Sequence, residues 1–206
     1  MKTALLFFSI LYGFAAYAQT DTSGAKVIFF DGFNNNDNSW TVADTKRASA
    51  KIVNGFYYLT ANGHSYGEEH EIKIDTHKDF EIEARIKILN GETDHKSYYS
   101  MLFWGREAME SYYFTFAKDG FASVESCDGK SQSSCSTRSG SLKKSGLNPD
   151  DFNVYTIRKT GNRYTFLINN EAFYEMPFTP FFGNSLGFGA GRKVTLQIDY
   201  LKVVYL

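Results

Sequence analysis

From Asp151 the chain reads DFNVYTIRKTGNRYTFLINNEAFYEMPF and, from Gly183, GNSLGFGAGRKVTLQIDYLKVVYL. In this stretch Val154 to Ile157 and Tyr164 to Ile168 are β-branched and aromatic runs, and they flank Lys159-Thr160-Gly161-Asn162. That composition favours pleated strands joined by a tight turn. Asn169-Asn170 supplies a second two-residue turn tolerant of positive φ, so Ala172-Phe173-Tyr174 can return beside Phe166 to Ile168. The segment is a β-meander. Units of this kind recur along a chain with almost no helix-period pattern, which predicts an all-β, two-sheet antiparallel β-sandwich or a barrel.

Residues 1–18 read as an export signal, and residues 19–206 as one β-sandwich domain. Lys2 gives the positive start, Ala4 to Ala16 is an apolar run, and Ala16-Tyr17-Ala18 is a small-x-small cleavage site. The run is short for a membrane span and polar residues follow at once from Gln19. No Cys follows it to carry a lipid, and no second apolar stretch is long enough to cross a bilayer. The expected destination is secreted, periplasmic or cell envelope. With Lys2 set aside from the 22 basic residues, the remainder carries 21 against 23 acidic residues. Such a balance gives no electrostatic case for a nucleic-acid partner. Cys127 and Cys135 are the cysteines of CDGKSQSSC, and in an exported chain an even pair across a short polar loop reads as a disulfide.

In chain order, Lys26 to Phe30 is the first strand, and the Asn-rich DGFNNNDNSW that follows is loop, with Trp40 returning the chain to the core. Ala50 to Val53, Asn54-Gly55 and Phe56 to Leu59 form the clearest hairpin of the N-terminal half. His64 to His70 is a polar, exposed connection. Phe80, Ile82, Ala84, Ile86 and Ile88 alternate with Glu81, Glu83, Arg85 and Lys87, so this strand has one buried face and one wet face. Tyr98 to Gly105 and Tyr112 to Ala117 are apolar on both faces, as in a central strand or one lining a concave surface. Phe121 to Glu125 follows. Ser126 to Asp150 reads as the longest irregular stretch, interrupting the sheet at the cysteines and suited to a binding loop.

Four features, FFDGFNNNDNSW, DFEIEARIKILNG, the YYSMLFWG…YYFTFAKDG pair and INNEAFYE…LGFGAG…LQIDYLKV, resemble the concanavalin A-like lectin/glucanase superfamily. Within it the likeness is to laminin G-like and keto-disaccharide hydrolase-like jelly-roll domains. The resemblance covers nearly the whole of 19–206. It implies two stacked antiparallel sheets with the first and last strands adjacent at one edge, and it brings Asp31 near Asp199. Some relatives hold a structural calcium there; the alternative is that Asp31 caps a turn and Asp199 hydrogen-bonds loop amides. Two carboxylates fall short of the six to eight oxygens calcium takes unless the backbone supplies the rest.

The same superfamily spans lectins, glycosidases and adhesion modules, so function rests on the site. The Glu-x-Asp-x-x-Glu pattern of sandwich glucanases is absent, and Glu81 with Glu83 lies on a face of alternating charge that suits cross-strand ion pairs. Arg106 matches an Arg of the keto-disaccharide group, but the acid and amide expected beside it do not, so no catalytic residue is assigned. His64, His70, His77 and His95 show no metal-ligand spacing. Trp104, Tyr98, Tyr112 and Arg106 cluster at strand ends, an aromatic face with a guanidinium of the sort that recognises sugar rings. The leading expectation is a non-catalytic, lectin-like carbohydrate-binding module with a carbohydrate or other cell-surface ligand. A glycoside hydrolase-like enzyme and a protein-binding adhesion module are the alternatives.

Overall fold

A computed structural model describes residues 24–91, 99–129, 135–140, 142–143 and 146–206. The stretch 1–18 expected to be an export signal, Tyr98 and His95 lie outside the described residues. The described chain contains strands and turns and no helix. In order the strands are β1 (Lys26–Asp31), β2 (Ala43–Asp44), β3 (Ala48–Val53), β4 (Phe56–Ala61), β5 (Tyr66–Glu71), β6 (Phe80–Asn90), β7 (Ser100–Glu107) and β8 (Glu110–Phe116). There follow β9 (Phe121–Asp128), β10 (Cys135–Thr137), β11 (Leu142–Lys143), β12 (Asn153–Thr160), β13 (Arg163–Ile168), β14 (Glu171–Pro177), β15 (Ser185–Ala190) and β16 (Thr195–Tyr205).

They form two antiparallel sheets. The larger runs β14-β13-β12-β6-β16-β4-β3-β2 with β1 beside β16, and the smaller runs β10-β9-β8-β7-β15-β5 with β11 beside β9. The architecture is the expected two-sheet jelly-roll sandwich. First and last strands do pair, with Asp31 opposite Leu201 and Lys26 opposite Tyr205. They do so inside the sheet: β16 has β6 along one side, and β4 and β1 share the other.

Local chemistry explains the turns. Asn54 and Gly55, at φ 53° and 75°, close the β3–β4 hairpin, and Asn169 and Asn170, at 52° and 64°, close β13–β14. The alternating strand β6 buries Phe80, Ile82, Ala84, Ile86 and Ile88 against the smaller sheet. Its outer face carries an ion pair of the kind that alternation of charge suggests, Arg158 lying opposite Glu81 and donating to it at 2.6 Å, and beside it Tyr200 donates a hydrogen bond to Glu83 at 2.8 Å. Between the sheets the core is largely aromatic. Tyr155 stacks on Phe116 at 4.0 Å, and Phe114 and Trp104 meet Phe166 at 5.5 and 5.6 Å.

Two expectations are corrected. The polar stretch from His64 is in part a strand: Tyr66 to Glu71 pairs along β15 as the edge of the smaller sheet. An edge strand with few β-branched residues is held by its neighbour's backbone, and its polar side chains suit the exposed margin. The cysteines do not interrupt the sheet either. β9 continues to Asp128, and Cys127 sits directly opposite Cys135 on β10.

Candidate functional site

The open face of the smaller sheet holds a cleft of about 270 Å³. Strand register sets the rows of the outward face on which it lies. Thr137, Glu125, Tyr113, Phe103, Gly187 and Glu69 are successive cross-strand neighbours on β10, β9, β8, β7, β15 and β5. A second row, Ser123, Thr115, Met101, Gly189 and Gly67, runs beside it. Side chains of direct neighbours across a sheet stand about 5 Å apart, so each row is a continuous strip of contacts.

The strip is asymmetric because β15 and β5 contribute glycines. At Gly189 a Cβ would lie 2.7 Å from Met101 Cγ, so the missing side chain is what lets Met101 lie flat. The cleft therefore has aromatic and thioether groups on one side and, on the other, the backbone of Gly67 and Gly189 beside Ser65 and Tyr66. Tyr99 closes one end, and the Cys127–Cys135 disulfide lines the wall formed by β9 and β10.

The site residues expected from sequence separate into two sets. Trp104 and Tyr112 are opposite one another on β7 and β8, but on the inward row. Trp104 is fully buried, stacked on Tyr112 at 5.4 Å and packed on Phe166 at 5.6 Å, while Tyr112 donates its hydroxyl to the Pro180 carbonyl at 3.0 Å. Neither ring reaches the cleft. Both faces of β7 and β8 are apolar, so composition did not reveal which parity faces out; Phe103 and Tyr113, their immediate neighbours, are the outward rings.

Arg106 does line the cleft, through a backbone irregularity. In a regular strand it would share the inward face of Trp104, two residues before. Between Trp104 and Glu107 the register shifts, two residues of β7 facing one of β8, and Gly105 adopts φ 60°. This bulge turns Arg106 outward. A side chain at Gly105 would meet the Phe181 ring at 2.9 Å, so the position excludes one both by conformation and by space. Once turned, the Arg106 guanidinium lies 5.2 Å from the centre of the Phe103 ring and donates to Glu69 at 2.9 Å and to the Ala108 carbonyl at 3.1 Å.

Glu125 is the one carboxylate among the described residues lining the cleft. It accepts from the Ser123 hydroxyl at 3.0 Å. Burial raises the pKa of Tyr99, and the nearby Glu125 and Tyr113 raise it further. Sequence reasoning missed Phe103, Tyr113 and Glu125 as site residues. Placing them takes the cross-strand register from β15 to β7, β8 and β9, which no local sequence signal carries.

The two aspartates considered for calcium are committed to nitrogen donors. Asp31 accepts from the Phe33 amide at 2.7 Å, the Asn38 side-chain amide at 2.8 Å and the Trp40 indole at 2.7 Å. Asp199 is paired with Arg85. Among the described residues no group of three or more His, Cys, Asp or Glu is arranged to hold a metal. As placed, Asp31 and Asp199 do not fit a calcium ion, because their oxygens face N–H donors rather than converge on a shared point.

No known family profile matches the chain, and no curated protein matches its sequence. Solved structures do match in fold. The Bacillus licheniformis β-glucanase aligns over 86% of this chain and 97% of its own at 10% identity, TM-score 0.63. The endo-β-1,3-glucanase of Pyrococcus furiosus aligns over 88% and 94% at 16% identity, TM-score 0.57. The CBM2 module of the evolved Dit protein of Lactobacillus casei BL23 phage J-1 covers 88% and 96% at 12% identity, TM-score 0.57. The likeness is one of fold: a two-sheet antiparallel jelly-roll sandwich, as in these two glucanases and this module.

Proposed function

We propose that the chain is a carbohydrate-binding module and that its ligand lies along the cleft of the smaller sheet. The observation that carries this reading is the strip of half-buried Tyr113 and Met101, flanked by Arg106 and Glu125, with Phe103 buried beneath Arg106 and a floor left shallow by Gly189 and Gly67. Flat apolar faces suit the C–H faces of a sugar ring, and a guanidinium, a carboxylate and tyrosine hydroxyls at the margins suit its hydroxyl groups. Structural neighbours described as a carbohydrate-binding module and as glucanases support a saccharide as the ligand class. A two-carboxylate hydrolase finds less support: among the described residues Glu125 is the one carboxylate in the lining, and the next acid in its row, Glu69, is held by Arg106. We infer an extracellular or envelope location, which the Cys127–Cys135 disulfide supports.

A glycan array probed with the purified chain tests the reading. Binding to a defined glycan is expected to weaken by about tenfold or more in Tyr113→Ala and in Arg106→Ala, with thermal unfolding still cooperative. An array without a hit, or hits indifferent to both substitutions, would remove the cleft as a saccharide site.

A further inference from the structure

The outward row across the smaller sheet has a carboxylate near each end and an aromatic ring beside each. Toward β5, Glu69 lies past Gly187 from Phe103; toward β10, Glu125 lies directly opposite Tyr113. The two ends differ in one respect. At the Glu69 end the chain provides its own cation: the Arg106 guanidinium is bound to Glu69 at 2.9 Å and rests over the Phe103 ring at 5.2 Å. At the Glu125 end the carboxylate is met by the Ser123 hydroxyl, and among the described residues no Lys, Arg or His pairs with it.

An aromatic face next to a carboxylate is the arrangement that binds ammonium and guanidinium groups, the ring through its quadrupole and the carboxylate through charge. Arg106 demonstrates it within this cleft. Its charge is spent on Glu69, so among the described residues of the lining the uncompensated formal charge is the negative Glu125. Tyr99, on the same wall, has its pKa raised by burial first and by the nearby Glu125 second.

We propose that the saccharide bound in this cleft carries a protonated amine, as in an oligosaccharide of de-N-acetylated amino sugars, and that Glu125 with Tyr113 receives it. The inference rests on the carbohydrate-binding reading above. Acetylating the amine removes the charge and adds bulk where the carboxylate stands. A uronate would meet Glu125 as a like charge and would have to displace Glu69 from Arg106.

The probes are β-1,4-linked glucosamine and galactosamine oligomers, each in free-amine and fully N-acetylated form, together with galacturonate oligomers. All are printed on one array with the neutral glycans, and affinities are then measured by calorimetry. The free-amine form is expected to bind about tenfold more tightly than its acetylated twin, and the preference to shrink as salt is raised. In Glu125→Gln, which keeps the side chain's size and an acceptor for Ser123, the two forms are expected to bind within about twofold of each other. Equal binding of the two forms by the unsubstituted chain, a preference that survives Glu125→Gln, or preference for the uronate would overturn the inference. If neutral glycans bind and respond to Tyr113→Ala while the amine confers nothing, the inference fails and the carbohydrate-binding module stands. If no glycan binds at all, both fail.

Discussion

Which ring on β7 meets a ligand is decided by single backbone steps. Trp104 and Phe103 are adjacent and both buried, yet Trp104 packs between the sheets while Phe103 lies on the cleft side beneath Arg106. Sequence could identify the aromatic cluster but not its parity, because Ser100 to Gly105 offers apolar residues to both sides and alternation then carries no sign. Nor could it foresee that Gly105 adopts φ 60° and returns Arg106 to the open face. A substitution separates the two roles. Trp104→Ala removes a ring packed on Tyr112, Tyr164 and Phe166, and is expected to cost about 3–5 kcal/mol of stability. Urea denaturation would read this as a lower midpoint with an unchanged slope. In whatever fraction stays folded, affinity for a glycan is expected to stay within about twofold, since the ring touches core and not cleft. A selective loss of binding with full stability would instead mean that Trp104 turns outward.

At the scale of elements, strands with clear chemistry were legible. β6 announced itself by alternation and the β3–β4 hairpin by Asn54-Gly55, both local signals. β5 and β10 were not legible, because what makes each a strand is the backbone beside it: β15 for β5, and β9 for β10. β10 is three residues long and exposed throughout, so little apolar burial holds it. Its tie is the disulfide between directly opposed Cys127 and Cys135, eight positions apart in sequence. Closing a loop of that length removes about 2.5 kcal/mol of chain entropy from the unfolded state. The double substitution Cys127→Ala, Cys135→Ala is therefore expected to lower stability by about 2–3 kcal/mol and to raise hydrogen exchange at residues 135–137 well above that of β8. Because the disulfide also lines the cleft, glycan binding should weaken modestly, by about threefold to tenfold. Exchange at β10 equal to that of the unsubstituted chain would show the strand to be self-supporting.

The molecule as a whole is assembled from pairings distant in sequence, such as β1 and β6 on β16, which no local pattern encodes. What sequence did convey was a share of Phe, Trp and Tyr of 17%, enough to fill a sandwich interior with rings. A consequence is sensitivity to alkali. Tyr57, Tyr155 and Tyr164 are buried, and burial raises each phenol's pKa far above its ordinary value of 10.0. Tyr66 is pushed up to about 12 by burial first and then by its hydrogen bond to Glu68. In the unfolded chain these phenols lose their protons near pH 10, whereas in the folded chain they keep them. The folded state then binds more protons, so the stability these groups contribute is complete below pH 10 and declines as pH rises through the folded values. At pH 11 each fully buried phenol should cost about 1.4 kcal/mol, and the three together about 4 kcal/mol. Urea midpoints are accordingly expected to be level from pH 8 to about 9.5 and to fall steeply toward pH 11. Tyr155→Phe keeps the ring stacked on Phe116 and removes one titrating hydroxyl, so it should reduce the decline between pH 10 and 11 by about 1 kcal/mol. A midpoint that stays level to pH 11 would mean that these phenols ionise in the folded chain as readily as in the unfolded one.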